Sequence, residues 1–284
     1  MIDPADALRQ KVARALEEDL GTGDVTSEAV VPEEARARAR IVQKEPGVVY
    51  GLAVVAEVMS QCGVEDVDNL VVEGQWRDDV PAEILLAGGS ARSLLAAERT
   101  ALNFLGHLSA VATQTARYVE AVAGTSASIL DTRKTTPSMR WLEKGAVAAG
   151  GGINHRFGLY DAILIKENHI AAAGGLAKAV HGARSAHPDL AIEVEVRDLD
   201  EASYALGTGA DRLLIDNMSL DDLRVAVTLR DENVGEREVS LEASGGITLE
   251  NVREIAETGV EFISVGALTH SAPALDFSML LDLV

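Results

Sequence analysis

Ala162-Ile163-Leu164-Ile165-Lys166-Glu167-Asn168-His169 runs from a short apolar segment straight into charge, and the same figure recurs through the second half of the chain. Upstream, Ala127-Ser128-Ile129-Leu130 ends at Asp131. Downstream, residues 191–196 carry Glu193 and Glu195, residues 212–215 end at Asp216, residues 239–243 at Ser244, and residues 261–265 at Gly266. Segments of helical period lie between them, at 176–187, 199–207, 220–231 and 249–259. From Lys166 the strand ends (166, 195, 216, 244, 266) fall 29, 21, 28 and 22 residues apart. That is a strand–helix repeat with right-handed crossovers, and it predicts a parallel sheet or barrel. The chemistry-bearing residues (Asp131 and Arg133, Lys166, Glu195, Asp216, Ser244, Gly266) all sit at C-terminal strand ends, the face on which a β/α barrel carries its site. An open doubly wound sheet would gather them at its switch point instead. Six converging strand ends favour the barrel, and six or seven strands rather than eight predict an open or incomplete one.

The first third of the chain reads differently. Residues 6–20 have a helical period through Leu8, Val12, Ala15, Leu16 and Leu20, and Gly21 ends it. Residues 21–27, rich in glycine and β-branched residues, read as a structural loop. Residues 34–42 alternate Ala with Arg, the pattern of a strand with one wet face. A turn at Pro46-Gly47, extended chain at 48–50, a helix at 52–59 and short strands at 70–72 and 83–87 follow, with Pro81 between the last two. Residues 93–123 form the longest helical stretch and carry Glu98, Arg99 and Asn103. Strands and helices mixed in this order predict a smaller α+β domain.

The chain has a formal net charge of −20 over 284 residues. Yet Arg133, Lys134, Arg140, Lys144, Arg156 and Lys166 face only Glu143 and Asp161 between positions 133 and 166, a cationic island before His155 is considered. Placed among glycines and strand ends, it points to a small, highly charged anion. The acidic balance elsewhere speaks against nucleic acid and anionic membrane surfaces as partners. Scarce lysine with abundant alanine is the composition expected of a salt-rich cytoplasm. The single cysteine, Cys62, excludes an intrachain disulfide and a zinc cluster. Residues 1–20 lack a signal-peptide apolar region and no run reaches membrane-span length, so a cytoplasmic location is expected.

Taken in order, Asp131-Thr132-Arg133-Lys134-Thr135-Thr136-Pro137, Gly150-Gly151-Gly152-Ile153-Asn154-His155-Arg156, Leu164-Ile165-Lys166-Glu167-Asn168-His169, Glu193-Val194-Glu195-Val196, Asp216-Asn217, Glu242-Ala243-Ser244-Gly245-Gly246 and Ser264-Val265-Gly266-Ala267 resemble quinolinate phosphoribosyltransferases over nearly the whole chain. Glu98 to Asn103 and Glu18 to Thr26 match that family's helix and N-terminal motifs. The resemblance implies reaction of quinolinate with phosphoribosyl pyrophosphate to give nicotinate mononucleotide, pyrophosphate and CO2, with Mg2+ required. It implies that Arg133, His155, Arg156 and Lys166 hold the quinolinate carboxylates, completed by Arg99 from the partner subunit of a homodimer, which in turn can assemble further. Thr132 and Lys134 bind substrate, with Lys134 facing the pyrophosphate. Lys134, Lys166, Glu195 and Asp216 form the catalytic set, Glu195 and Asp216 contacting ribose hydroxyls and Mg2+. Ser244, Gly245 and Gly246 with Val265, Gly266 and Ala267 cradle the 5′-phosphate through backbone N–H groups. It further implies an N-terminal domain at 1–107, the barrel at 108–269, and a C-terminal segment at 270–284 that packs back on the N-terminal domain. Residues 231–238 read as a polar insertion away from the site.

Elementary chemistry agrees with these roles. Planar, bidentate carboxylate and phosphate recognition is arginine's strength, and glycines let backbone approach a phosphate near a helix N-terminus, expected near Thr248. Mg2+ takes one or two carboxylates plus phosphate oxygens. Two other readings remain at this level: a sister enzyme of the same architecture acting on nicotinate or a different ring acid, and a non-catalytic phosphate-ligand sensor. Arg133, His155, Arg156 and Lys166 exceed what one carboxylate needs, and a sensor has no use for a Glu195/Asp216 metal pair.

Overall fold

The computed structural model describes residues 3–64, 66–232 and 238–284, in two compact units: Met1–Gln114 with Ala272–Val284, and Thr115–Ser271. In the first, α1 (Pro4–Leu20) leads through a turn to a short helix, α2 (Val25–Val30), capped by the Asp24 carboxylate on the Thr26 and Ser27 N–H groups. The expected loop at 21–27 is therefore shorter: glycine sets the turn, and an aspartate N-cap restarts a helix. β1 (Arg36–Gln43) buries Ala37, Ala39 and Ile41 and turns its arginines outward, as the alternation requires. β2 (Gly47–Val48), α3 (Leu52–Gln61), β3 (Asp66–Asn69), β4 (Trp76–Arg77), β5 (Ala82–Ser90) and the long α4 (Ala91–Ala121) follow. The strand expected at 70–72 lies just upstream, in β3, whose side chains are largely exposed and give no apolar signal.

The second unit alternates strand and helix. It contains β6 (Ser128–Leu130), α5 (Arg140–Ala149), β7 (Ile163–Ile165), α6 (Glu167–Ala173), α7 (Leu176–Ala186), β8 (Ile192–Val196), α8 (Leu199–Leu206), β9 (Arg212–Asp216), α9 (Leu220–Glu232), β10 (Ser240–Ser244), α10 (Val252–Ala256), β11 (Phe262–Ser264) and α11 (Ala267–His270). The strands form one parallel sheet ordered β6-β11-β10-β9-β8-β7. Ile153 adds an isolated parallel bridge to Leu130, and β6 and β7 remain unpaired with each other among the described residues, so the barrel is open as expected. Ile129, Ile165, Val194, Leu213, Ile215, Leu241 and Ile263 are buried, each such side chain contributing about 1.5–3 kcal/mol of burial. The final strand, β12 (Phe277–Leu283), belongs to the first unit and pairs antiparallel with β1, where Arg40 meets both Glu83 and Asp282. Most of the insertion expected at 231–238 lies outside the described residues.

Register places the chemistry. Ile165 pairs with Val194, so Lys166 and Glu195 leave adjacent strands at one level; Asp216 pairs with Ser244, Ser244 with Ser264, and Ser264 with Leu130. One rim of the sheet thus carries Asp131, Lys166, Glu195, Asp216 and Ser244 side by side.

Candidate active site

A cavity of about 560 Å³ opens at that rim. It brings together Thr132, Arg133 and Lys134 beyond β6, His155 and Arg156 from the glycine-flanked loop after α5, and Lys166, Glu195, Asp216, Ser244, Gly245 and Gly246 from the later strand ends. Arg99 is exposed on α4 in the other unit.

The cations are set in different ways. Lys166 closes β7 and precedes α6; its own N–H donates to His169 Nδ1 at 3.0 Å, which orients the strand end, and its ammonium pairs with Glu195. Arg156 donates to the Ala162 carbonyl at 3.4 Å, and burial together with the Arg133 charge lowers its pKa. Arg133 keeps a buried Nε with no partner among the described residues. The cavity therefore holds guanidinium groups that repel one another, one with an unmet donor: a site short of an anion.

Two members of the sequence island do not reach the cavity. Arg140 donates to the Phe157 and Arg133 carbonyls and to Thr135 Oγ1, bracing the loops. Lys144 is buried against Asp131.

His155 sits in the cavity wall with both ring nitrogens engaged. Nδ1 accepts the Arg156 N–H at 2.6 Å, and Nε2 faces Glu193 at 2.8 Å and Glu242 at 3.5 Å. Arg212 completes the group, 3.1 Å from Glu242. Burial works against charge on His155, but the Glu193 hydrogen bond and both carboxylates raise its pKa; the bare Nδ1 that the Arg156 N–H needs opposes a second proton, and the neutral Nε2–H ring satisfies both contacts. Burial alone would raise Glu193, yet His155 holds it below its ordinary value. Burial, then the Glu193 charge, push Glu242 up to about 7. Ligand atoms of His155, Glu193 and Glu242 lie within 4.8 Å of one another, but the histidine N–H donates to Glu193 and Arg212 supplies counter-charge to Glu242, so this trio reads as a hydrogen-bonded network.

The acidic side differs. Asp216 presents its carboxylate to the cavity with the Asn217 amide at 3.0 Å, and Glu195 has one oxygen on Lys166. These hard oxygen donors suit Mg2+, which takes its remaining ligands from substrate and water.

The phosphate cradle is narrower than the sequence implied. Gly245 and Gly246 have φ of 97° and 61°, left-handed values that favour glycine. The Val265 N–H, however, donates to the Leu130 carbonyl at 2.9 Å, because β11 still pairs there, so it is not available to a ligand. Gly266 and Ala267 start the four-residue α11; they are not among the cavity-lining residues, and Gly266 packs against Lys134 instead. Likewise α10 begins at Val252, and the Thr248 N–H is taken by Asn251 Oδ1 at 2.8 Å.

Cavity residues to which the sequence reading gave no role are Asn217, Glu242, Ser264, Leu164 and Leu214. Asn217 has φ of 56°, a left-handed conformation that asparagine tolerates. It abuts Gly245: a Cβ there would lie 2.1 Å from Asn217 Oδ1. Gly245→Ala therefore forces Asn217 off Asp216. We expect affinity for a phosphate-bearing ligand to fall about tenfold or more, with the melting temperature little changed; equilibrium binding and a thermal melt check this.

Comparisons with known proteins converge on one family. Residues 24–109 match the model of the quinolinate phosphoribosyl transferase N-terminal domain, and residues 111–280 that of the C-terminal domain. The chain is 44% identical to the nicotinate-nucleotide pyrophosphorylase [carboxylating] of Mycobacterium leprae over 277 residues, covering 96% of this chain and 97% of that one. Identity to the probable enzyme of that name from Bacillus subtilis is 43%, over 92% and 89% of the two chains. The solved nicotinate-nucleotide pyrophosphorylase of Francisella tularensis superposes with a TM-score of 0.93 at 39% identity, over 99% and 98% of the two chains. With both domain models matched and the cation-lined barrel rim in place, the chain belongs to the quinolinate phosphoribosyltransferase family.

Proposed function

We propose that this protein transfers phosphoribosyl from phosphoribosyl pyrophosphate to the ring nitrogen of quinolinate and that the product loses CO2, giving nicotinate mononucleotide and pyrophosphate, the step that commits quinolinate to NAD synthesis. The observation that carries this reading is the mutual repulsion of Arg133 and Arg156 in one cavity, with Arg133 Nε unpaired among the described residues. Both proposed substrates are polyanions, and each relieves that repulsion.

In this reading Arg133, Arg156 and Lys166 hold the two ring carboxylates from the wall containing His155, and Thr132 and Lys134 bind the pyrophosphate end. Gly245 and Gly246, beside Ser244, take the 5′-phosphate, with Gly266 backing Lys134. Glu195 and Asp216 lie where positive charge develops on the ribose as the bond to pyrophosphate lengthens, and stabilise it. The same two carboxylates would hold Mg2+, which when bound neutralises charge on the departing pyrophosphate. Decarboxylation then breaks the bond from ring carbon C2 to its carboxylate; the electron pair left at C2 is stabilised by the adjacent ring nitrogen, now positive, and takes up a proton from water, so positioning and electrostatics suffice. Arg99 is assigned to the neighbouring subunit's site in a homodimer, with higher assembly open to it, and the protein to the cytoplasm. No helix among the described residues is long and apolar enough to cross a membrane.

The deciding experiment incubates the protein with quinolinate, phosphoribosyl pyrophosphate and Mg2+ in both dilute and molar KCl, following nicotinate mononucleotide. Product is expected, and EDTA should abolish it. Absence of product at both salt levels defeats the reading.

A further inference from the structure

Lys144 is among the largest fully buried side chains, and its partner Asp131 is equally hidden, with side-chain exposures of 1% and 0%. Burial works against both charges, raising the Asp131 pKa and lowering that of Lys144. A buried pair of this kind contributes little to stability compared with apolar side chains of the same size, so its use lies elsewhere.

Its remaining hydrogen bonds show where. Asp131 Oδ1 also accepts the His155 N–H at 2.9 Å, and Lys144 Nζ donates to the His155 carbonyl at 2.9 Å, so the pair grips one residue by both backbone groups. With its amide turned to donate, Asn154 reaches Asp131 Oδ2 at 2.6 Å and the Lys144 carbonyl at 3.0 Å. Backbone bonds from Asp131 N–H to Ile153 and from Ile153 N–H to Ile129 lock the same two segments together. Two residues beyond Asp131 comes Arg133, and one beyond His155 comes Arg156. These two guanidiniums repel each other, so something must hold their carriers at a fixed separation.

We propose that the buried Asp131–Lys144 pair is a positioning device: it sets the spacing of Arg133 and Arg156 and so makes the cavity select two adjacent carboxylates on one ring over a single carboxylate. This rests on the substrate reading above. Neither residue touches the substrate; both act through the loop they hold.

The test is equilibrium binding by calorimetry, with quinolinate, nicotinate and phosphoribosyl pyrophosphate as separate probes. The variant Asp131→Asn/Lys144→Met removes both charges together and leaves no unpaired ion, which favours folding. With its melting temperature close to wild type, we expect quinolinate binding at least about tenfold weaker, selectivity over nicotinate largely lost, and phosphoribosyl pyrophosphate affinity within about twofold. Wild-type quinolinate affinity in the folded variant overturns the inference, as does equal weakening of quinolinate and phosphoribosyl pyrophosphate, the mark of a merely structural lesion. If the double variant does not fold, Asn154→Ala, at an exposed position, removes one of the loop's bonds to Asp131. Its expected effect is a roughly threefold loss confined to quinolinate, and unchanged affinity there also overturns the inference. Failure of the wild-type protein to bind quinolinate refutes the substrate reading itself, and is told apart because no variant is involved.

Discussion

Lys166→Ala should lower kcat/KM for quinolinate by about a thousandfold while leaving the melting temperature almost unchanged. The two halves of that expectation have separate physical origins. The Lys166 side chain is 46% exposed, and an ion pair on such a side chain contributes little to folding. The strand end stays in place, because it is the backbone N–H of Lys166 that His169 holds. In the cavity, however, the ammonium is the cation paired with Glu195, and its loss leaves that carboxylate facing a dianion with no charge between them. Retention of more than about a tenth of wild-type activity would exclude a direct part for Lys166. The same variant tests the shared site. If Arg99 completes the neighbouring subunit's cavity, Lys166→Ala and Arg99→Ala subunits, each inactive, recombine into a dimer with one intact site. Free exchange at equal amounts should then restore about a quarter of wild-type activity. No recovery, with exchange demonstrated by mass-labelled subunits, would place Arg99 elsewhere.

Much of the barrel was legible because parallel strands covered on both sides are short apolar runs that stop abruptly at charge. Residues 162–169 show this directly: β7 occupies Ile163–Ile165 and Lys166 stands at the rim. The N-terminal sheet was harder. β1 declared itself through alternation, whereas β3, Asp66-Val67-Asp68-Asn69, is an exposed edge whose partner β5 supplies the order. Charge was the least legible property. Among the six cations of the island, sequence could not separate Lys144, which is buried, or Arg140, which braces loops, from those that face the cavity. Nor could it show that Glu193 and Glu195, two residues apart on one strand and so on the same side of it, divide their work by depth. Glu193 is 8% exposed beneath His155, while Glu195 is 18% exposed beside Lys166. Depth is a property of the closed-over sheet, not of the strand.

Depth also governs the second large effect, the pH dependence of stability at Glu242. Glu242 Oε2 meets Arg212 and lies 3.5 Å from His155 Nε2, Ser264 hydrogen bonds to the same carboxyl, and Glu193 is the neighbouring acid. The Oε1 atoms of both Glu193 and Glu242 are buried without another partner among the described residues, an arrangement that one proton shared between the two carboxyls satisfies. Burial and the Glu193 charge raise the Glu242 pKa from 4.5 to about 7. A carboxyl raised in the folded state favours folding in its protonated form. That contribution is complete below about pH 4.5 and disappears as pH rises through about 7, a loss of roughly 3 kcal/mol. Glu193, held low by His155, acts in the opposite sense: its contribution is present above its ordinary pKa and fades only in acid. Glu242→Gln keeps a donor toward Glu193 and an acceptor for Arg212 but has no proton to lose. The melting temperature of the variant should therefore gain on that of the wild type between pH 4.5 and 7, by roughly 5–10 °C in all, and run parallel to it above. A difference that stays constant across this range would mean that Glu242 is ionised in the folded protein at every pH tested. The proton-sharing pair beneath His155 would then have to be replaced by two buried carboxylates balanced only by Arg212 and a charged imidazole.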